Sequence, residues 1–127
     1  MQQEYLNFGD FIARKREQKK ITLREMARLL QITAPYLSDV EKDRRNPFDL
    51  DKLLSLSSIL ELSEEEKALM MDLAGKKRHG VGIDLYSYIE QDPTISLALR
   101  TARSTKAGSE DWLDFIKRLN EKKGKER

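Results

Sequence analysis

Hydrogen-bonding side chains of the kind that contact nucleic acid are concentrated in residues 21–47. Arg44, Arg45 and Asn46 stand in succession there, after two short stretches with apolar residues at helical spacing. Guanidinium and amide N–H groups donate hydrogen bonds to phosphate oxygens. Two short helices that are joined by a tight turn and followed by a basic loop are typical of proteins that read duplex DNA. DNA binding is therefore the first hypothesis that the sequence raises.

The first of the two stretches begins with a capping pattern. Thr22 and Glu25 have the S/T-x-x-E spacing of a capping box, and Ile21 and Met26 occupy the two positions of a hydrophobic staple. These residues predict a helix that begins at about Leu23. Its apolar face consists of Met26, Ala27 and Leu30.

The second stretch repeats this pattern. Thr33 is the expected N-cap, and Pro35 lies in the first turn, where a missing N–H costs nothing. A helix is therefore predicted over residues 34–42, with Leu37 and Val40 as its apolar side. The remaining face is left for solvent or for a partner and consists of Ala34, Pro35, Tyr36, Ser38 and Asp39.

These residues resemble the Xre-type, phage-repressor-like helix-turn-helix domain, over a segment from about Phe8 to Leu62. The resemblance is carried by Phe8-Gly9, Ile12, Arg16, the T-x-x-E-M-A sequence from Thr22, Ile32-Thr33, Tyr36-Leu37-Ser38, Val40-Glu41 and Arg44-Arg45-Asn46-Pro47. It implies an all-α fold with a five-helix lambda-repressor-like domain. It also implies that the helix at 34–42 enters the major groove with its N-terminus first.

The resemblance further implies roles for individual side chains. Positions that match Arg16 and Glu41 form a buried ion pair in the family, so we assign these two residues to structure. The expected base-facing residues are Ala34, Pro35, Tyr36 and Asp39. The expected phosphate contacts are Thr33, Ser38, Arg44, Arg45 and Asn46, with Arg24 and Arg28 as weaker candidates.

The expected reading face lacks the groups that discriminate bases most strongly. Asp39 can accept a hydrogen bond from a cytosine amino group, whereas Ala34 and Pro35 offer only apolar contact to a thymine methyl group. Tyr36 offers its ring or its hydroxyl. Because the helix has no Arg, Gln or Asn fork, we expect direct readout to be modest and DNA shape to contribute.

Three glycines that are usual in the family are absent here. Lys20, Gln31 and Asp43 stand where glycine commonly ends a helix or forms a turn. Asp43 tolerates a left-handed conformation better than Gln31 does. We therefore expect that Gln31→Gly would be neutral or stabilising.

Composition excludes several other kinds of protein. The 127 residues include no cysteine, so the chain can form neither a disulfide nor a thiolate metal site. No apolar run approaches the roughly 18 residues of a membrane span, and the start MQQEYLNFGDF lacks a signal-peptide pattern. We expect a soluble, cytoplasmic protein with no membrane partner.

Charge is distributed unevenly along the chain. Although the net charge is only +2, residues 1–48 carry 10 Lys and Arg against 7 Asp and Glu, and residues 75–82 carry 3 against 0. Positive charge thus lies on the proposed DNA-binding half and after it. Ordinary solvated side chains would produce a similar count, so the helix-turn-helix spacing carries the hypothesis rather than the charge.

The sequence does not favour an enzyme. His79 is the only histidine and has no acidic neighbour, so neither a nucleophile–histidine arrangement nor a multi-histidine metal site is available. Glu64, Glu65 and Glu66 are typical of a helix N-terminus. We expect no cofactor and no metal.

The chain is predicted to divide into two helical regions. Residues 1–75 form the helix-turn-helix domain: a largely apolar helix follows Pro47, Ser63 and Glu66 form a second capping box, and Gly75 is expected to end the fifth helix. Residues 76–82 are predicted to be a basic, glycine-flanked linker, either a plain hinge or a phosphate contact. Residues 83–127 form a C-terminal helical region.

About three helices are predicted in that C-terminal region. Asp92 and Pro93 begin a helix that ends near Gly108, and Ser109 is expected to cap the last helix. The last helix carries an apolar stripe at i, i+3, i+4, i+7 spacing, formed by Trp112, Phe115, Ile116 and Leu119. Three short helices are unlikely to bury this stripe alone, so it packs on the first domain, on a second copy or on another protein.

Two functions fit these observations. The first is a sequence-specific, dimeric DNA-binding regulator, most plausibly a repressor, that binds two half-sites. The second is an antitoxin that binds DNA through the same domain and sequesters a toxin or protease partner with its C-terminal helices. Genome context or selection of bound DNA would separate them.

Overall fold

The computed structural model describes residues 4–78 and 80–125. Within these residues the chain forms eight helices and no strand, which confirms the predicted all-α fold. The helices are α1 (Phe8–Gln18), α2 (Leu23–Leu30), α3 (Ala34–Glu41), α4 (Leu50–Ile59), α5 (Glu64–Arg78), α6 (Ile83–Glu90), α7 (Pro93–Ser104) and α8 (Ser109–Lys125).

The chain divides into two compact units, Met1–Ser87 and Tyr88–Arg127. The first unit holds α1 to α5 and the start of α6, and the second holds the rest. The division into domains at residues 75 and 83 stays a prediction. Among the described residues, no helix combines the length and the apolar character that crossing a bilayer requires.

The core of the first unit is built from the apolar faces of its five helices. Every one of these side chains is at most 3% exposed. They are Phe8, Phe11, Ile12, Met26, Ala27, Leu30, Leu37, Val40, Phe48, Leu53, Leu56, Leu60, Met70, Met71 and Ala74. The predicted inward positions of α2 and α3 are all among them.

The predicted helix starts of the first unit are confirmed. Thr22 accepts a hydrogen bond from the Glu25 N–H at 3.1 Å, and Thr33 caps α3. At Ser63 and Glu66 both halves of the capping box form, at 3.1 and 2.9 Å. At Thr22 only one half is present, because the Glu25 carboxylate binds Arg28 instead.

The prediction that Gly75 ends α5 is wrong. The helix continues to Arg78, and Gly80 adopts the left-handed conformation with φ +78° and donates its N–H to the Gly75 carbonyl at 2.7 Å. A Cβ atom on Gly75 would lie 1.9 Å from the Val81 carbonyl oxygen. Glycine is therefore needed there for a close backbone approach. The assignment of His79 lies outside the described residues.

In the second unit, α7 begins at the predicted cap. Asp92 accepts a hydrogen bond from the Thr94 N–H at 2.9 Å, and Pro93 is the first helical residue. The predicted end near Gly108 is wrong, because α7 ends at Ser104 and Lys106 takes the left-handed conformation, with φ 58°. Ser109 is not a cap: it is the first residue of α8.

Candidate nucleic-acid interface

The candidate interface is built on α3, which presents one face and buries the other. Leu37 and Val40 are at most 1% exposed, so they fix the rotation of this eight-residue helix. The Thr33 hydroxyl accepts a hydrogen bond from the Tyr36 N–H at 3.2 Å. Because Pro35 has no N–H and the Tyr36 N–H is bonded to Thr33, the Ala34 N–H is the donor that the start of α3 can offer to an anion such as phosphate.

The turn between α2 and α3 is closed by a residue in the left-handed conformation. Gln31 has φ 60° and ψ 42°, and the Ile32 N–H donates to the Ala27 carbonyl at 3.0 Å. The ammonium group of Lys52 donates to the Leu30 carbonyl at 3.0 Å. A cation from α4 therefore satisfies a terminal carbonyl of α2 and ties α4 to the end of α2.

Arg16 and Glu41 form a two-point ion pair between α1 and α3. The Arg16 Nε atom lies 2.8 Å from Glu41 Oε2, and Nη2 lies 3.0 Å from Oε1. A third guanidinium nitrogen donates to the Ile21 carbonyl at 2.9 Å. The two side chains are only 13% and 9% exposed, and the hydrogen bond that Arg16 donates to the Glu41 carboxylate raises the pKa of Arg16. This pair ties α3 to α1.

Gly9 allows α1 to approach the C-terminal end of α3. A Cβ atom at this position would lie 2.4 Å from the Val40 carbonyl oxygen and 2.5 Å from that of Glu41. Both contacts would be with backbone, which cannot rotate away. Glycine at position 9 therefore permits the helix contact that brings Arg16 within reach of Glu41.

The basic loop after α3 is held by a helix cap and by α5. Asp43 is left-handed, with φ 61°, and the Arg44 N–H donates to the Asp39 carbonyl at 2.8 Å. The Lys77 ammonium group donates to Asp43 Oδ1 at 2.6 Å and to the Asp43 and Arg45 carbonyls at 3.2 and 3.4 Å. These bonds order the loop backbone and leave the side chains of residues 44–46 exposed.

The Tyr36 ring packs against another aromatic ring and is not free to turn toward a base. Its ring stacks on the buried ring of Phe48, with centroids 5.8 Å apart and planes 15° apart. The Arg45 guanidinium lies 4.9 Å from the Tyr36 ring centroid. The stack on Phe48 fixes the Tyr36 ring, and the cation–π contact with this ring orients the Arg45 side chain.

The other predicted site residues are distributed around this framework. Pro35 and Thr33 are exposed, whereas Ala34, Ser38 and Asp39 are partly buried. Arg24 is exposed. Arg28 is exposed too, but its guanidinium binds the Glu25 carboxylate, and that bond lowers the pKa of Glu25. Arg28 would have to leave Glu25 to bind a phosphate.

Three residues of this framework were missed in the sequence. Lys77 was assigned to the linker, Lys52 was given no role, and Phe48 was not placed. No spacing rule links Lys77 to a loop 34 residues earlier, because the contact depends on where folding places the end of α5. Phe48 offered one signal, since an aromatic residue directly after a basic loop is well placed to anchor that loop.

A family comparison agrees with this geometry. Residues 12–67 match a family model described as Helix-turn-helix. This segment is a helix-turn-helix domain of the lambda-repressor-like family. The helix-turn-helix is formed by α2 and α3, and the chain therefore contains a DNA-binding domain.

Comparison with whole proteins adds little to the helix-turn-helix assignment. A solved structure described as the SinR protein/SinI protein complex is 19% identical, with a TM-score of 0.45, and the alignment covers 92% of this chain and 98% of that chain. A superposition of that quality supports no further inference. Among curated proteins, no significant match to this chain is found.

Proposed function

We propose that this protein is a dimeric transcriptional repressor, and not an enzyme, that binds duplex DNA in the cytoplasm. It binds specific sequences by placing α3 in the major groove. The observation that carries the proposal is the ordered basic loop beside α3: residues 44–46 expose their side chains while Lys77 and Asp43 hold their backbone. A preordered loop loses little conformational entropy when it binds phosphate.

Phosphate binding positions the protein without specifying a sequence. Arg44, Arg45 and Asn46 bind the DNA backbone on one side of the groove, and the Thr33 hydroxyl with the Ala34 N–H binds it on the other. Ser38, Arg24 and Arg28 are additional candidates. The cation–π contact with Tyr36 favours a single orientation of Arg45.

Sequence reading falls mainly to Asp39 and Pro35. Asp39 accepts from a cytosine amino group, and the exposed Pro35 contacts a thymine methyl group together with Ala34. The Tyr36 ring is engaged by Phe48, so its hydroxyl is the part left for a base edge. With so few base contacts, the deformability of the operator supplies part of the specificity.

The dimer arises in the C-terminal helical region, residues 83–127, which follows the end of α5 at Arg78. The exposed stripe of α8 supports this assignment, because an apolar stripe on a helix normally packs against another surface. A dimer of two helix-turn-helix domains binds two half-sites with a two-fold relation.

The same exposed stripe supports a second candidate, the antitoxin. In that case a toxin or protease partner would cover α8, while the first unit still binds DNA. A stable complex with the product of a neighbouring gene, lost in Trp112→Ala or Phe115→Ala, would favour this candidate.

The proposal is tested by selecting bound duplexes from a random DNA pool. We expect an inverted repeat with half-site centres about 34 Å apart or a multiple of that distance. Selection of one unrepeated half-site would contradict the dimer, and no enrichment would contradict sequence-specific binding.

Repeating the selection with Asp39→Ala tests the reading face. This variant should relax base preference at one position in each half-site, because a single side chain reads that position. Asp51→Ala removes an exposed acid from α4 and serves as the matched control. Identical preferences in Asp39→Ala and the parent would contradict the role of Asp39.

A further inference from the structure

The last helix carries an apolar stripe that its own compact unit, Tyr88–Arg127, leaves open. Trp112, Phe115, Ile116 and Leu119 are 40–51% exposed. Trp112 and Phe115 meet edge to face at 6.3 Å and line an open groove of about 470 Å³ between α7 and α8, opposite Leu97. The groove is apolar and contains no group of metal-ligating side chains among the described residues.

Charged side chains follow this stripe on one side only. Asp111, Arg118 and Lys122 are separated by seven and four residues, so they lie along one flank of α8. The opposite flank holds the uncharged Leu113 and Asn120, and Lys117 lies beyond them, toward the side of α8 away from the stripe. None of the three charged side chains forms an ion pair with another described residue.

The charges are ordered along the helix axis. In the first two turns of α8 all the charged side chains are negative: they are Glu110, Asp111 and Asp114. From residue 117 onward positive side chains predominate, since Lys117, Arg118, Lys122 and Lys123 accompany a single acid, Glu121. A helix with this order is complementary to a second copy of itself that runs in the opposite direction.

We propose that α8 pairs with α8 of a second copy in antiparallel orientation, about a two-fold axis between Phe115 and Ile116. The inference rests on the dimer of the proposed function and names its surface and direction. The axis lies midway along the stripe, so Trp112 of each copy meets Leu119 of the other. Both copies contribute the same residues, as a two-fold interface requires.

The flank charges select this orientation over a parallel one. In an antiparallel pair, each flank faces the same flank of the other helix. Asp111 then lies about two residues, roughly 3 Å along the axis, from the levels of both Arg118 and Lys122 of the second copy. In a parallel pair the charged flank would face Leu113 and Asn120, and the three charges would stay unpaired.

A second copy also fits the surface better than an oppositely charged partner does. A basic partner would meet Arg118 and Lys122, and an acidic partner would meet Asp111. Either one leaves like charges opposed at one end of the stripe. Self-pairing satisfies both ends at once.

The test uses single cysteines in the full chain, which has none of its own. Ile116→Cys should form a disulfide-linked dimer on mild oxidation, because the two copies of position 116 lie beside the axis. Leu119→Cys alone should stay uncrosslinked, since its two copies are about 10 Å apart along the axis and a disulfide needs Cα atoms within about 7 Å. A mixture of Leu119→Cys and Trp112→Cys should crosslink as a heterodimer.

Each alternative gives a different result. Crosslinking of Leu119→Cys alone would overturn the antiparallel direction and leave the dimer standing. A monomer in sedimentation of the parent chain would overturn both the pairing and the dimer, while DNA selection would still report on the helix-turn-helix domain. A complex that forms only with another protein would likewise overturn the pairing.

Charge reversal provides an independent check. Asp111→Arg alone and Arg118→Asp/Lys122→Asp alone should each weaken self-association at least about tenfold, whereas an equal mixture should restore it. Asp111 also accepts a hydrogen bond from the Gly108 N–H at the start of α8, so Asp111→Arg removes a helix cap as well as a charge. Restored association in the mixture therefore separates the effect of charge pairing from the loss of the cap. Asp114→Arg, on the side of α8 away from the stripe, is the matched control and should associate like the parent. Failure of the mixture to associate would overturn the charge pairing.

Discussion

The two compact units of the chain differ in how completely their apolar side chains are covered. In Met1–Ser87, fifteen apolar side chains are at most 3% exposed, whereas no described side chain of Tyr88–Arg127 is buried. Both units have well-patterned amphipathic helices. The comparison shows that an apolar stripe predicts a helix reliably, while the surface that covers the stripe depends on what the other elements supply.

The first unit should be sensitive to loss of its partly buried Arg16–Glu41 ion pair. Glu41→Ala leaves the Arg16 guanidinium without its two-point partner at a largely buried site, so we expect a loss of about 3–5 kcal/mol in the free energy of unfolding. Urea unfolding at neutral pH measures this loss. The control is Glu61→Ala, whose carboxylate pairs with Lys19 but is 75% exposed. Equal losses in the two variants would show that the Arg16–Glu41 pair is not effectively buried.

Glycine replacement should have opposite outcomes in the two units. Gly9→Ala pushes a methyl group against the backbone at the end of α3, and overpacking of this kind typically costs about 1–3 kcal/mol. Gly124→Ala, in α8, meets nothing within 4 Å and should leave stability unchanged or slightly higher. Thermal unfolding compares them. A parent-like melting temperature for Gly9→Ala would contradict the close contact between α1 and α3.

Left-handed helix ends are a source of strain in the first unit. Lys20, Gln31 and Asp43, where the family usually has glycine, all have φ between 57° and 61°. Gln31→Gly should therefore stabilise the protein by up to about 1 kcal/mol, or a few degrees in melting temperature. Gln18→Gly, at the last residue of α1, is the control and should cost about 0.5–1 kcal/mol. A lower melting temperature for Gln31→Gly would show that the turn is misplaced.

A smaller effect is expected from pH. The hydrogen bond from Lys15 lowers the pKa of Glu66, so this pair stabilises the folded state above about pH 4.3 and loses that effect as pH falls through the lowered pKa. Because Glu66 is 37% exposed, the contribution should stay below about 1 kcal/mol. Lys15→Met should reduce the loss of stability between neutral and acidic pH, measured by urea unfolding. Lys67 forms no ion pair with a described residue, so Lys67→Met should leave this pH dependence unchanged. The same dependence of stability on pH in both variants would contradict the role of the Lys15–Glu66 pair.

Local rules were enough to predict most of the first unit. The caps at Thr22, Thr33 and Ser63 depend on residues three positions apart, so the sequence contains all the information that they need. Contacts between residues far apart in the sequence were harder to predict than the caps. The Lys77 bond joins residues 34 positions apart, and Tyr36 stacks on Phe48 of the loop after α3, so no helical spacing rule describes either contact.

Glycine was the residue most often misread. Gly75 and Gly108 were expected to end helices, yet α5 passes through Gly75, and Lys106 takes the left-handed position after α7. A glycine in sequence does not say whether it supplies a left-handed turn or room for a close approach. At Gly9 and Gly75 the backbone of another segment decides in favour of close approach.

The proposed function depends on contacts between the side chains of residues 44–46 and DNA phosphates. The decisive measurement is the affinity for the selected duplex over a salt series. Arg44→Ala and Arg45→Ala should each weaken binding and reduce the slope of log affinity against log salt by about one unit. Lys67→Ala, ten residues or roughly 15 Å along α5 from Lys77, should keep the parent slope. Parent-like slopes in both arginine variants would contradict the claim.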